Sequence, residues 1–277
     1  MMQTIWIQQM VEARFFDALH TNGIAKALAE CIEANHTPFY MPQVVDARIG
    51  AAKDSPIIRK WWTTPSVCVT GKSKGGHKVV VYAHVPNYFS DPANIKTARK
   101  AGLRNGAGIM PELEFYALLD REDNRTVFVV DYATLRATPA SVVNAVSKAH
   151  KHPQTIPFLG GKERAEQYLA THAEVYGSRI VIWHSDDLDE NPRGRLLFLG
   201  DDGDSLGLIC SNSLDHRGRF LGMGATERRE NGLVREAHAR NGTAPDLEAV
   251  LGKLDHLLAP AIRDRAREEL APLYRKQ

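Results

Sequence analysis

Along residues 5–34 the apolar side chains Met10, Val11, Phe15, Leu19, Leu28 and Ile32 recur at helical spacing, which predicts one long helix with a weak point at Gly23. Pro38, Pro42, Pro56 and Pro65 punctuate the next stretch, so 35–66 reads as loop and short pieces, with Trp61 and Trp62 at the edge of the core. Two β-branched runs, 66–70 and 78–85, flank a basic, glycine-rich tip from Gly71 to His77 and predict a hairpin. Residues 94–101 predict a short basic helix. Pro111 predicts the first residue of another, with Glu112 and Glu114 in its first turn and Phe115, Leu118 and Leu119 inward.

Residues 126–132 read as a strand. Thr138-Pro139 opens a predicted helix through His150, with Val142, Val143 and Val146 inward, and a rigid connector over 152–161 leads to a helix over 162–176 stopped by Gly177. Strands are predicted at 179–183, at 195–199 with 206–210 as a hairpin around Asp201-Asp202-Gly203-Asp204, and at 219–223. Leu247, Val250, Leu251, Leu254, Leu257 and Leu258 form a helical stripe, and Pro260 separates it from a more charged final helix.

From 78 to 184 the order is strand, helices, strand, helices, strand, with crossovers long enough for parallel strands. The expected fold class is therefore mixed α/β (α+β): a central, partly parallel sheet with flanking helices, an added β-hairpin region and C-terminal helices. The predicted organisation is an N-terminal helical segment over 1–65 packed on the core, an α/β core domain over 66–225 and a C-terminal helical segment over 226–277.

Composition is that of an ordinary globular protein, 43% hydrophobic and 25% charged, and the formal net charge of +2 excludes a strongly basic coat for nucleic acid while leaving room for a local basic patch. The three cysteines, Cys31, Cys68 and Cys210, are far apart in apolar stretches and read as small buried hydrophobes rather than a disulfide framework or zinc knuckle. The first nine residues do not resemble a signal peptide, and no apolar run nears the roughly 20 residues that span a bilayer, so a cytoplasmic location is expected.

Several motifs fail on inspection. The run Gly71–Lys78 lacks the Gly-Lys-Ser/Thr ending and following helix of a phosphate-binding loop. Asp187-Leu188-Asp189-Glu190-Asn191 begins like a calcium loop, but Pro192 and Phe198 stand where glycine and glutamate are required. His184-Ser185-Asp186 has the His-x-Asp form of a non-haem iron site, with His216 too close downstream to complete it. Glu112 and Glu114 suit a nuclease-like core but are already explained by the helix dipole.

What remains is a set of polar residues at strand ends. Val79–Ala83 ends at His84, Val127–Val130 at Asp131, and Ile180–Trp183 at His184 with Asp186 just beyond. Parallel neighbours would share one rim, the edge where open α/β sheets bind ligands. Asp131, His184 and Asp186 could then hold a divalent metal ion or do acid/base work, assisted by His84. A basic strip of Lys72, Lys74, Lys78, Lys96, Arg99, Lys100 and Arg104, interleaved with Tyr82, Asn87, Tyr88 and Phe89, suits a phosphodiester backbone with stacked bases. Lys148, His150, Lys151 and His152 form a second basic cluster. The plainer reading stands beside this: Asp131 as a cap, His84 bonded to a loop carbonyl, His184 satisfied in the core, the cations on solvated faces.

The expectation is a hydrolase-type, nuclease-like enzyme acting on a phosphate-bearing substrate, with nucleic acid as partner and a divalent metal as the one cofactor considered. Two alternatives are kept: a small-molecule enzyme on the same edge, with Gln154–Gly161 as lid over an enclosed pocket, and a non-catalytic interaction module, dimeric through the helices of 245–276.

Overall fold

The computed structural model describes residues 14–184, 189–201 and 206–224. The chain divides into two units, Met1–Ala225 and Thr226–Gln277. The predicted helical stripe of 247–258 and the dimerising surface of 245–276 lie outside the described residues, as do Asp186 and the first part of the predicted 5–34 helix.

Eleven strands are described: β1 (Arg14–Ala18), β2 (His36–Pro38), β3 (Trp62–Lys72), β4 (Lys78–Ala83), β5 (Gly108–Ile109), β6 (Val127–Asp131), β7 (Ser141–Ala145), β8 (Arg179–Trp183), β9 (Arg193–Asp201), β10 (Leu206–Ile209) and β11 (Gly218–Gly224). The large sheet has the order β6-β4-β3-β9-β10-β8-β7, with β5 paired to β9, and a small sheet has the order β1-β11-β2. Mixed α and β structure is thus as expected, but the arrangement is not. Among the described strands only β8 and β10 pair in parallel, whereas β4 and β6 are antiparallel.

The large sheet is covered on both faces, and the period-two alternation of its strands divides their side chains between two cores. Cys68, Val80 and Tyr82 enter one core with Ile180, Ile182 and the helices Met41–Gly50, Thr155–Leu159 and Lys162–Tyr176. Val67, Val69, Val81 and Ala83 enter the other with the helices Gly23–Glu33, Pro92–Lys100 and Glu112–Leu119. Double coverage explains why nearly every position of β3 is buried although it reads as an alternating strand. All three cysteines are buried and unpaired, and burial pushes the Cys31 thiol up to about 12.

Three predicted elements are replaced. Arg14–Ala18, expected as helix, is a strand because it pairs antiparallel with β11, and the helix begins only at Gly23. A Cβ at Gly23 would stand 1.9 Å from the carbonyl oxygen of Ala18, so the weak point of the sequence is a point of backbone contact. Met41–Gly50, expected as loop, is a helix that accepts Pro42 in its first turn, where no intrahelical N–H is needed, while the Gln43 side chain accepts from the Tyr40 amide at 2.8 Å. Ser141–Ala145, expected as helix, is a strand on β8, where its β-branched valines fit the pleat.

The hairpin of β3 and β4, the helix Lys162–Tyr176, its stop at Gly177 with φ of 90°, and the hairpin of β9 and β10 match the sequence pattern. No helix among the described residues is long and apolar enough to cross a membrane.

Candidate functional site

The three strand tips do not form one rim. Asp131 lies opposite Val79 at the start of β4, while His84 follows its other end, because β4 and β6 run in opposite directions. Asp131 caps the helix Tyr132–Arg136: its carboxylate accepts from the Thr134 amide at 2.7 Å and the Thr134 hydroxyl at 3.0 Å, and these bonds hold its pKa down.

His84 is buried, with Nδ1 3.0 Å from the Ser66 hydroxyl and Nε2 2.8 Å from the Pro157 carbonyl. The Ser66 oxygen already accepts from the Met41 amide at 2.8 Å. The Pro157 carbonyl can only accept, so Nε2 carries the proton and donates to it, and in the neutral ring Nδ1 accepts from the Ser66 hydroxyl. Burial lowers the His84 pKa to about 4. His184 is also buried, with Nε2 3.1 Å from the Thr138 carbonyl and its ring 6.1 Å from that of His152. His152 is likewise held at about 4, first by burial and then by His184.

Both histidines therefore touch the segment 152–157, but inside the core. That segment is no lid: Gln154, Thr155, Phe158 and Leu159 are fully buried. The Gln154 amide donates to the carbonyls of Trp183 at 3.0 Å and Leu208 at 3.1 Å, tying β8 to β10. Among the described residues no group of three or more His, Cys, Asp or Glu side chains is placed to hold a metal ion.

The basic strip divides. Lys72 pairs with Glu190 at 3.7 Å, Lys74 with Asp120 at 3.2 Å, and Arg104 with Asp189 at 3.2 Å. Lys78 sits across the hairpin from Lys72, exposed. The aromatic residues meant to stack on bases are spent in the core, with Tyr82 and Phe89 fully buried. Lys96, Arg99 and Lys100 differ, having no ion pair among the described residues.

These three cations, with Asn22, Leu103 and Asp215, line a concavity of about 520 Å³. Their convergence follows from helix geometry. Asp91 caps the helix Pro92–Lys100 by accepting from the Ala93 amide at 2.8 Å, Ile95 and Ala98 point into the core, and positions 96, 99 and 100 then share the outer face. Arg99 and Lys100 fall in the last turn, where the helix dipole favours cations. The Nε of Arg99 is buried with no hydrogen-bond partner among the described residues.

The opposite wall is set by backbone bonds. The Asn22 amide donates to the Asp215 carbonyl, and the Ile24 amide to the His216 carbonyl at 3.1 Å. Asn22 adopts the left-handed conformation, φ 70°, and its side chain makes no capping bond. Sequence reasoning placed Arg99 and Lys100 among the binding residues but missed Asn22 and Asp215. No local signal marks them, since they reach the site only through the docking of 20–24 on 213–218. Chemically, the site offers three cationic donors, one amide and one carboxylate.

No family model matches the chain, and no curated protein does. A solved structure, reported as the accommodation of massive sequence variation in Nanoarchaeota by the C-type lectin fold, is 46% identical to this chain. The match covers 76% of this chain and 97% of that one, with a TM-score of 0.71. The fold is thus the C-type lectin fold, and the chain belongs to the family of that C-type lectin-fold protein. This overturns the expectation of an enzyme, whether a metal-dependent hydrolase, a nuclease or a small-molecule enzyme.

Proposed function

We propose that this protein is a non-catalytic binding module that takes an anionic, hydroxyl-bearing ligand in the concavity of Lys96, Arg99 and Lys100. The observation that carries the reading is the convergence of three cations, none ion-paired among the described residues, on a concave surface whose opposite wall holds one carboxylate, Asp215. A charged donor aimed at a ligand anion makes a stronger bond than a neutral one. Asn22 and Asp215 add a donor and an acceptor for hydroxyl groups. The relative's reported tolerance of sequence variation fits a site of this kind, whose cations project from a helix face and whose floor is held by main-chain bonds.

The test is calorimetry against a panel of uronic, sulfated and neutral saccharides at two salt concentrations. Acidic members should bind, with affinity falling as salt rises, and neutral members should not. The double variant Lys96→Glu, Lys100→Glu should weaken binding by about tenfold or more, since each contact to a charged group contributes ~1.5–3 kcal/mol. Binding that ignores both salt and the double variant would defeat the proposal.

A further inference from the structure

A second surface lies at one edge of the large sheet. β7 is its edge strand among the described residues. The His184 amide donates to Ala140 at 3.1 Å and the Val146 amide to Ser178 at 2.9 Å, which sets the phase of the ladder. With Ser141 opposite Trp183 and Ala145 opposite Arg179, residues 142 and 144 bond to β8, and the N–H and C=O groups of Ser141, Val143 and Ala145 point away from the sheet.

Natural edge strands are commonly protected by proline, charge or a bulge. None of these stands within Ser141–Ala145, and Val143 is 57% exposed. Beside this edge lies a groove of about 730 Å³, bounded on one side by β7 and on the other by Leu169, Ala170 and Ala173 of the helix Lys162–Tyr176. The helix thus overhangs a slot with small side chains on its roof and outward-facing backbone on its wall. Asn144 Nδ2, which lines it, is buried with no hydrogen-bond partner among the described residues.

We infer that this groove takes an extended segment of a partner protein, added as one more strand on β7, with apolar residues turned to Leu169 and Ala170 and acidic residues at its ends. The apolar requirement comes from the alanine and leucine roof. The acidic one comes from charge: Arg179 lines the groove with Lys148 and Lys151 exposed on the segment that follows β7, against Glu166 as the one acid in the lining. Strand addition supplies affinity through main-chain bonds and specificity through alternate side chains.

The probe is a labelled seven-residue peptide of alternating valine and threonine with glutamate at both ends, compared by fluorescence anisotropy with the same peptide ended in lysine. The glutamate-ended peptide should bind at least tenfold more tightly. Val143→Pro removes one outward N–H while leaving the bonds to β8, and should lower affinity at least tenfold with little change in melting temperature. Ala170→Arg, at an exposed helix position, fills the groove without touching β7 and should do the same. Equal binding by the wild type and by both variants would overturn the proposal, as would no binding of either peptide at millimolar concentration. A dimer of the wild type that Ala170→Arg dissociates would make a second copy the occupant and overturn it equally. None of these outcomes bears on the basic concavity.

Discussion

Beneath the large sheet, most of the buried polar side chains that cross between elements are met by protein, although Arg48 Nε, His152 Nε2 and His172 Nδ1 have no hydrogen-bond partner among the described residues. Gln154 spans the Trp183 and Leu208 carbonyls, His84 lies between Ser66 and Pro157, and buried Arg48 donates to the Tyr168 hydroxyl at 3.0 Å. Around the concavity Lys96, Arg99 and Lys100 are met by no acid among the described residues, although Asp215 lines the same surface. The contrast follows from solvation. An unmatched polar group in a core loses its water and gains nothing, whereas a lysine at the surface keeps its water until a ligand replaces it. The bonded groups Gln154, His84 and Arg48 tie elements of the fold together, whereas Lys96 and Lys100 make no ion pair among the described residues.

One large effect should come from the floor of the concavity, where Gly23 packs on the Ala18 carbonyl. Gly23→Ala forces a Cβ against the Ala18 carbonyl and towards the Gly218 amide, 3.1 Å away, and overpacking against backbone of this kind costs about 3 kcal/mol. Denaturant unfolding should show that loss. A change below about 1 kcal/mol would mean that the contact between 18–24 and 218 relaxes freely.

Acid should act next, on the interior alone. His84 is held at about 4 by burial, against an ordinary value of ~6.5, so between those two values the unfolded chain binds the proton and the folded chain does not. Stability is complete above ~6.5 and falls as pH drops towards 4, by about 3 kcal/mol for this one group. His152, also at about 4, adds to the fall. Melting temperatures measured from pH 7 to pH 4 should decline through this window. A flat profile would place charge, not neutral imidazole, in the core.

The smallest effect should be on stability at the rim. Lys96→Glu should change unfolding free energy by less than ~0.5 kcal/mol, the usual range for exposed positions, and Lys100→Glu, in the last turn of its helix, by about 1 kcal/mol. A larger loss would reveal a structural partner for these cations and erase the contrast.

How much of this was legible in the sequence depended on the range of the signal. The helix Lys162–Tyr176 lies between two glycines with positive φ, Gly161 and Gly177, so its limits are written locally. The β3–β4 hairpin is likewise local: its tip turns at Gly76, φ 78°, where the Ser73 amide donates to His77 at 2.8 Å. Arg14–Ala18 and Ser141–Ala145 were misread as helix because their partners, β11 and β8, are distant in sequence, and pairing outweighed helical spacing. The plainer reading of Asp131 and His84, as cap and as donor to a loop carbonyl, is what the structure holds, because short polar side chains at strand ends meet the nearest unsatisfied backbone group first.

The sequence by itself determined the existence of most strands and helices, the burial of the three cysteines, and the basic outer face of Pro92–Lys100, since hydrophobic period, glycine and capping act over a few residues. Only the tertiary structure decided the strand order, the directions that separate Asp131 from His84, and the meeting of Asn22 and Asp215 with the basic helix. Those depend on which buried surfaces find each other across the chain, and a pattern that records how each residue faces its neighbours does not record which distant strand lies beside it.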